Sequence, residues 1–88
     1  MRERDIEDHL IDLAERHRWL IRKIRYIGRN GAPDRMLIDP DGRVVFVELK
    51  APGKRARPLQ HQEHLRLAVY GQRVVTIDSI AGVEALFR

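Results

Sequence analysis

Apolar periodicity and turn chemistry predict an α/β fold, a mixed β-sheet flanked by helices in the order α-β-β-β-α-β-α. Three observations carry that expectation. A helical apolar repeat opens the chain, and two β-rich runs then flank an Asp-Pro-Asp-Gly turn. A proline-led helical segment and one more β-rich run follow this hairpin, an order that suggests a mixed sheet covered by helices.

Ile6, Leu10, Leu13, Ala14 and His17 recur at helical spacing, and neither Pro nor Gly interrupts residues 3–18. On a helical wheel Glu3 falls within the apolar sector and Glu7 at its edge, so one of the two acids is expected to point inward. Trp19 to Ile27 reads as a strand rich in β-prone bulk, followed by a glycine-rich loop from Gly28 to Pro33. Asp34–Asp39 and Arg43–Lys50 form the next two strands. Asp39-Pro40-Asp41-Gly42 between them has the residues a type I turn prefers at its first, second and fourth positions. Ala51–Arg57 is a basic loop, and Pro58 suits the first turn of a helix that runs to about Tyr70, where Gly71 closes it. Leu59, Leu65 and either Ala68 or Val69 are expected to form its buried stripe. Arg73–Ile77 is the fourth strand. Asp78 or Ser79 caps a last short helix whose Ile80, Val83, Leu86 and Phe87 face inward.

The chain of 88 residues suits one domain spanning 1–88, small enough that pairing with a copy of itself would usefully add buried surface. Hydrophobic residues at 43% and charged residues at 34% argue against both a disordered tail and a membrane span. No apolar run approaches the roughly 18 residues of a spanning helix, and Met1 to Asp5 lack a signal-like apolar stretch, so a cytoplasmic location is expected. With no cysteine, neither a disulfide framework nor a thiolate zinc site is available. Seventeen Lys and Arg against thirteen Asp and Glu leave a net charge of +4, which favours a polyanionic partner. The distribution says more than the sum. Residues 16–33 carry Arg16, Arg18, Arg22, Lys23, Arg25 and Arg29 without one acid, and residues 49–62 carry Lys50, Lys54, Arg55 and Arg57 likewise.

Charge in an apolar strand marks the candidate site. Glu48 and Lys50 project from one face of the third strand while Leu49 points the other way. If the hairpin has a three-residue loop with Gly42 in the left-handed bulge position, Asp39 pairs with Arg43 and Asp34 lies opposite Glu48. Two carboxylates would then stand within about 5.5 Å at Cβ. Like charges that close repel, and a bound cation is the simplest reason to tolerate them. A plain cross-strand ion pair, with Lys50 neutralising one acid at a sheet edge, is the other reading that spacing leaves open. His61 and His64 stand one helical turn apart without a third ligand, which argues against zinc. His17 reads as a core or interface histidine and Trp19 as a packing anchor.

Gly31-Ala32-Pro33-Asp34-Arg35, Gly42 to Lys50 (GRVVFVELK), Pro58-Leu59-Gln60 and Gly71-Gln72-Arg73-Val74-Val75, in that order, closely resemble the VRR-NUC family of PD-(D/E)XK nucleases. The resemblance covers nearly the whole chain and implies a restriction-endonuclease-like core. It also implies roles, residue by residue. Asp34 is the aspartate of the PD motif, Glu48 and Lys50 are the E-x-K pair, and Gln60 matches the helix glutamine. Asp34, Glu48 and the carbonyl of Leu49 are implied ligands of Mg²⁺ or Mn²⁺, and all-oxygen donors suit those ions. A further acid is expected from the first helix. Glu3 points more squarely inward, whereas Glu7 is better anchored in the helix and is slightly preferred as a catalytic and metal-binding residue. Lys23, Arg29, Arg35, Lys54, Arg55 and Arg57 are the expected contacts to the DNA backbone. The activity implied is a metal-dependent, structure-selective DNA endonuclease on branched substrates such as Holliday junctions, acting as a homodimer. Trp19, Leu20, Leu86 and Phe87 are the expected surplus apolar surface for that pairing. A flap or single-strand nuclease of the same family and a catalytically idle nucleic-acid-binding subunit are the alternatives.

Overall fold

The structure is a computed structural model and describes residues 1–88. Its first element, α1 (Glu3–Arg16), buries Ile6, Leu10 and Ala14, each four residues after the last, which puts them on one stripe. The chain then enters a four-stranded sheet: β1 (Leu20–Lys23), β2 (Arg35–Ile38) and β3 (Val44–Leu49), followed by α2 (Pro58–Val69), β4 (Arg73–Ile77) and α3 (Ile80–Leu86). Strand order is β1-β2-β3-β4. The first two pairings are antiparallel and β3 runs parallel to β4, the mixed sheet expected, with α2 as the crossover.

The turn between β2 and β3 sets the register. Asp39 N–H donates to the Arg43 carbonyl and Gly42 N–H to the Asp39 carbonyl, both at 2.9 Å. Asp39 Oδ1 accepts from the amides of Asp41 and Arg43 at 2.9 Å each. Gly42 has φ +87°, the left-handed conformation of the bulge position, where a side chain would be strained. Register follows two by two from Ile38 opposite Val44 to Arg35 opposite Val47.

Alternation then sorts the side chains. Leu37, Val45, Val47 and Leu49 share one face with Ile6, Leu10 and Ala14 of α1 and with Val83 and Leu86 of α3, and Ile77 completes this core. Ser79 caps α3, its Oγ accepting from Gly82 N–H at 2.9 Å. Trp19 and Phe87 pack with ring centroids 4.6 Å apart, and both lie against the core, as does the buried Leu86. The apolar surface that pairing was expected to use there is therefore largely spent inside the chain. Leu20 remains more exposed.

Two expectations are corrected. The first strand ends at Lys23 rather than Ile27; Ile24 N–H still donates to the Asp34 carbonyl at 3.0 Å, after which the chain leaves the sheet. Helix α2 is rotated relative to the stripe its apolar residues suggested. Its less exposed side chains are Gln60, Glu63, His64 and Leu67, at helical spacing, while Leu59, Leu65, Ala68 and Val69 face outward. The reason is chemical: α2 lies over the sheet face that carries Glu48, and a carboxylate there calls for amides and hydroxyls rather than leucines.

Candidate active site

Asp34 immediately precedes β2, and one further step of the register sets it across from Glu48 on the face opposite the apolar core. Its Oδ2 accepts from Leu49 N–H at 2.7 Å, which ties the aspartate to the strand that carries Glu48. Glu48 is 1% exposed. Its Oε2 accepts from Gln60 Nε2 at 2.8 Å and lies 3.2 Å from Lys50 Nζ. Lys50 Nζ in turn donates to Gln60 Oε1 at 2.8 Å, and that same oxygen accepts from Arg57 N–H at 2.9 Å. Gln60 therefore clasps both members of the E-x-K pair, which explains why an amide, with a donor and an acceptor on one group, stands there. The Lys50 backbone N–H donates to the Ile77 carbonyl at 3.0 Å, so β4 fixes the lysine at the end of its strand.

The electrostatics are unbalanced. Burial first, then the charges of Asp34 and Glu3, with Lys50 opposing them, push the Glu48 carboxyl up to about 7. Glu48 Oε1 is buried and has no hydrogen-bond partner. A buried carboxylate oxygen left bare is costly, and a cation would relieve it. No three His, Cys, Asp or Glu side chains converge closely enough to hold a metal by themselves. Any cation here would use the two carboxylates together with backbone or water oxygens.

The structure separates the two candidate acids of α1. Arg35, one residue beyond Asp34, projects to the opposite face of the sheet, where α1 lies. There its Nε donates to Glu7 Oε2 at 3.0 Å, and both side chains are largely covered. Glu7, preferred from the sequence as a catalytic acid and metal ligand, is thus committed to an ion pair outside the site. Arg35, expected at the DNA backbone, is committed with it. Glu3 is the α1 acid whose charge reaches Glu48. Lys23, Arg29, Lys54, Arg55 and Arg57 are exposed, as phosphate contacts require.

Sequence reasoning missed Tyr26 and Glu63. Glu63 is buried on the inner side of α2 and its Oε2 accepts from Tyr26 Oη–H at 2.6 Å. Burial and the Glu63 carboxylate hold the Tyr26 phenol up to about 12. Gly31 passes so close to α2 that a Cβ there would stand 2.6 Å from the Leu59 carbonyl oxygen, at a backbone φ of +95°. Together these contacts seat the 24–34 loop against α2 and so position Asp34. An acid three residues after Gln60 was the available signal, but a polar helix position alone does not declare itself buried.

No family model matches the chain. Pairwise comparisons are informative. The chain is 40% identical over 79 residues to "Putative nuclease p44" of Acyrthosiphon pisum secondary endosymbiont phage 1, covering 90% of this chain and 85% of that protein. It also superposes on a solved structure described as a VRR_NUC domain with a TM-score of 0.89 and 34% identity, covering 96% of this chain and 91% of the other. Likeness at that level over nearly the full length of both proteins, in sequence and in fold, places the chain in the VRR-NUC family of nucleases.

Proposed function

We propose that the chain hydrolyses phosphodiester bonds of DNA with the help of a divalent cation, Mg²⁺ or Mn²⁺, held by Asp34, Glu48 and the carbonyl of Leu49. The observation that carries this reading is Glu48, a carboxylate buried beside a second carboxylate with one oxygen unpartnered. An oxygen-only donor set fits these ions and not zinc. Such an ion polarises a phosphate and acidifies a bound water.

The remaining chemistry belongs to the protein. Lys50, whose ammonium is held 3.2 Å from Glu48, would stabilise the charge that develops on a phosphate oxygen or water beside that carboxylate during hydrolysis. Gln60 holds Lys50 and Glu48 in register so that neither swings away. Glu3, exposed at the rim, adds negative charge that strengthens cation capture. Lys23, Arg29, Lys54, Arg55 and Arg57 hold the phosphate backbone without reading bases. Selectivity would then come from DNA shape. Branched DNA such as a four-way junction, cut by a homodimer with one site per strand, is the substrate we propose.

The test is digestion of an end-labelled panel (four-way junction, flap, duplex and single strand) with Mg²⁺, Mn²⁺ or EDTA. Cleavage with either metal, abolished by EDTA and strongest on the junction, is the expected result. Binding to DNA without cleavage in any metal would make the chain an idle binding subunit, and preference for the flap would replace the junction reading.

A further inference from the structure

We infer that a groove between the 28–31 loop and α2 leads from the active site to a second phosphate-binding subsite, where Arg29, Asn30, Gln62 and Arg66 hold a backbone phosphate of the bound DNA strand. The inference rests on the reading of the chain as a DNA-cutting enzyme and adds a contact remote from the scissile bond. Two adjoining hollows make the groove. The first, of about 510 Å³, is lined by Arg57 and Gln60 at the start of α2 and by Asn30, Gly31 and Leu59. The second, of about 340 Å³, shares Asn30 and Leu59 with the first and adds Arg29, Gln62, Glu63 and Arg66. Because Gln60 also binds Glu48 and Lys50, the lining is continuous from the E-x-K pair to the two arginines.

The donor set at the far end suits an anion. Arg29 comes from the loop and Arg66 from the helix, Asn30 and Gln62 add neutral amide donors, and Arg25 stands with Arg29 over a neighbouring hollow. Glu63 is the one carboxylate among the lining residues, and it is already engaged. It is 8% exposed, its Oε2 accepts from Tyr26, and its Oε1 lies 3.9 Å from Arg66. So long an ion pair, with Arg66 half-exposed, is weak. Two guanidiniums against one carboxylate leave the hollow positive, and the planar fork of arginine matches phosphate oxygens. Leu59, common to both hollows, gives a sugar an apolar surface to lie on. Spacing agrees as well. Arg66 follows Gln60 by a rise of about 9 Å along the helix. At roughly 3.4 Å of axial rise per nucleotide, a strand following α2 brings a phosphate to Arg66 about two to three nucleotides from the scissile one. A phosphate held between Arg29 and Arg66 also ties the loop that ends at Asp34 to the helix that carries Gln60.

Binding of the chain to a fluorescein-labelled four-way junction in EDTA tests the subsite without reference to cleavage. In the Arg29→Gln/Arg66→Gln variant both charges are lost while amide donors remain. Both positions are exposed, so its melting should match the wild type. We expect binding about 10- to 100-fold weaker, with the salt slope lower by roughly one. Arg43→Gln/Arg88→Gln removes the same charge from the hairpin turn and the end of the chain, and should bind within about twofold of the wild type. Junctions carrying a single neutral methylphosphonate then locate the contact. At one position the replacement should weaken wild-type binding yet add nothing to the arginine variant, since two changes to one contact are not additive. Cleavage mapped in Mg²⁺ should place that position about two to three nucleotides from the cut. Unchanged binding and slope in the arginine variant, or a methylphosphonate profile identical to that of the wild type, overturns the inference. A shared position much further from the cut overturns the path along α2. A chain that binds in this way without cutting would refute the proposed hydrolysis and uphold the subsite.

Discussion

Between pH 4.5 and about 7, Glu48 retains in the folded chain a proton that the unfolded chain has already released. The folded state then binds more protons than the unfolded state, so stability falls as pH rises across that window. Thermal melts in EDTA should show a melting temperature that declines from pH 5 to pH 8, each kcal/mol of destabilisation lowering it by about 4–8 °C. Glu48→Gln should flatten the decline, and a wild-type melt independent of pH would contradict the assigned environment. Lys50→Ala should reduce cleavage on the order of 10²- to 10³-fold with DNA binding retained. Gln60→Ala should cost about 10- to 100-fold, because it removes the clasp rather than a reacting atom. Single-turnover cleavage and an equilibrium binding assay read the two effects separately. Asp34, Glu48 and Lys50 were legible in the sequence because the turn residues set the register and strand alternation sets the face. Glu3 and Glu7 were not separable on a wheel, since the wheel does not say which face of the sheet α1 covers. Alternation already placed Arg35 opposite Asp34 in facing, and that was the clue that Glu7 had another partner.

At the scale of elements, β4 and the capped α3 were readable because apolar pattern and cap chemistry agree there. Helix α2 was not, because its leucines pointed to a buried stripe that the site overrides. The strand after α1 was overextended for a similar reason: Ile24, Tyr26 and Ile27 have β-prone bulk, but Tyr26 is drawn out of the sheet to Glu63. The basic loop before α2 leaves Lys54, Arg55 and Arg57 exposed, and these are the proposed contacts to the phosphate backbone. Replacing all three with alanine should weaken DNA binding and lower its salt slope by roughly one for each phosphate no longer neutralised, while thermal stability holds. Fluorescence anisotropy at several salt concentrations measures this. An unchanged slope would move the DNA path elsewhere.

The whole molecule divides its labour across the sheet. Helices α1 and α3 bury the apolar core on one face, and α2 covers a polar, carboxylate-bearing face on the other. That division concentrates stability on the first face and leaves the second able to carry two acids, a lysine and an unpartnered oxygen within a chain of 88 residues. It also leaves Leu59, Leu65 and Val69 of α2 facing outward. The second face is proposed to bind one divalent cation between Asp34, Glu48 and Leu49. Anomalous diffraction from crystals soaked in Mn²⁺ tests it most directly. A cation held there gives a peak within about 2.0–2.3 Å of an oxygen from each of the three residues, with Glu48 Oε1 among them. No peak at Glu48, or one centred on Glu7 or on His61 and His64, would contradict it.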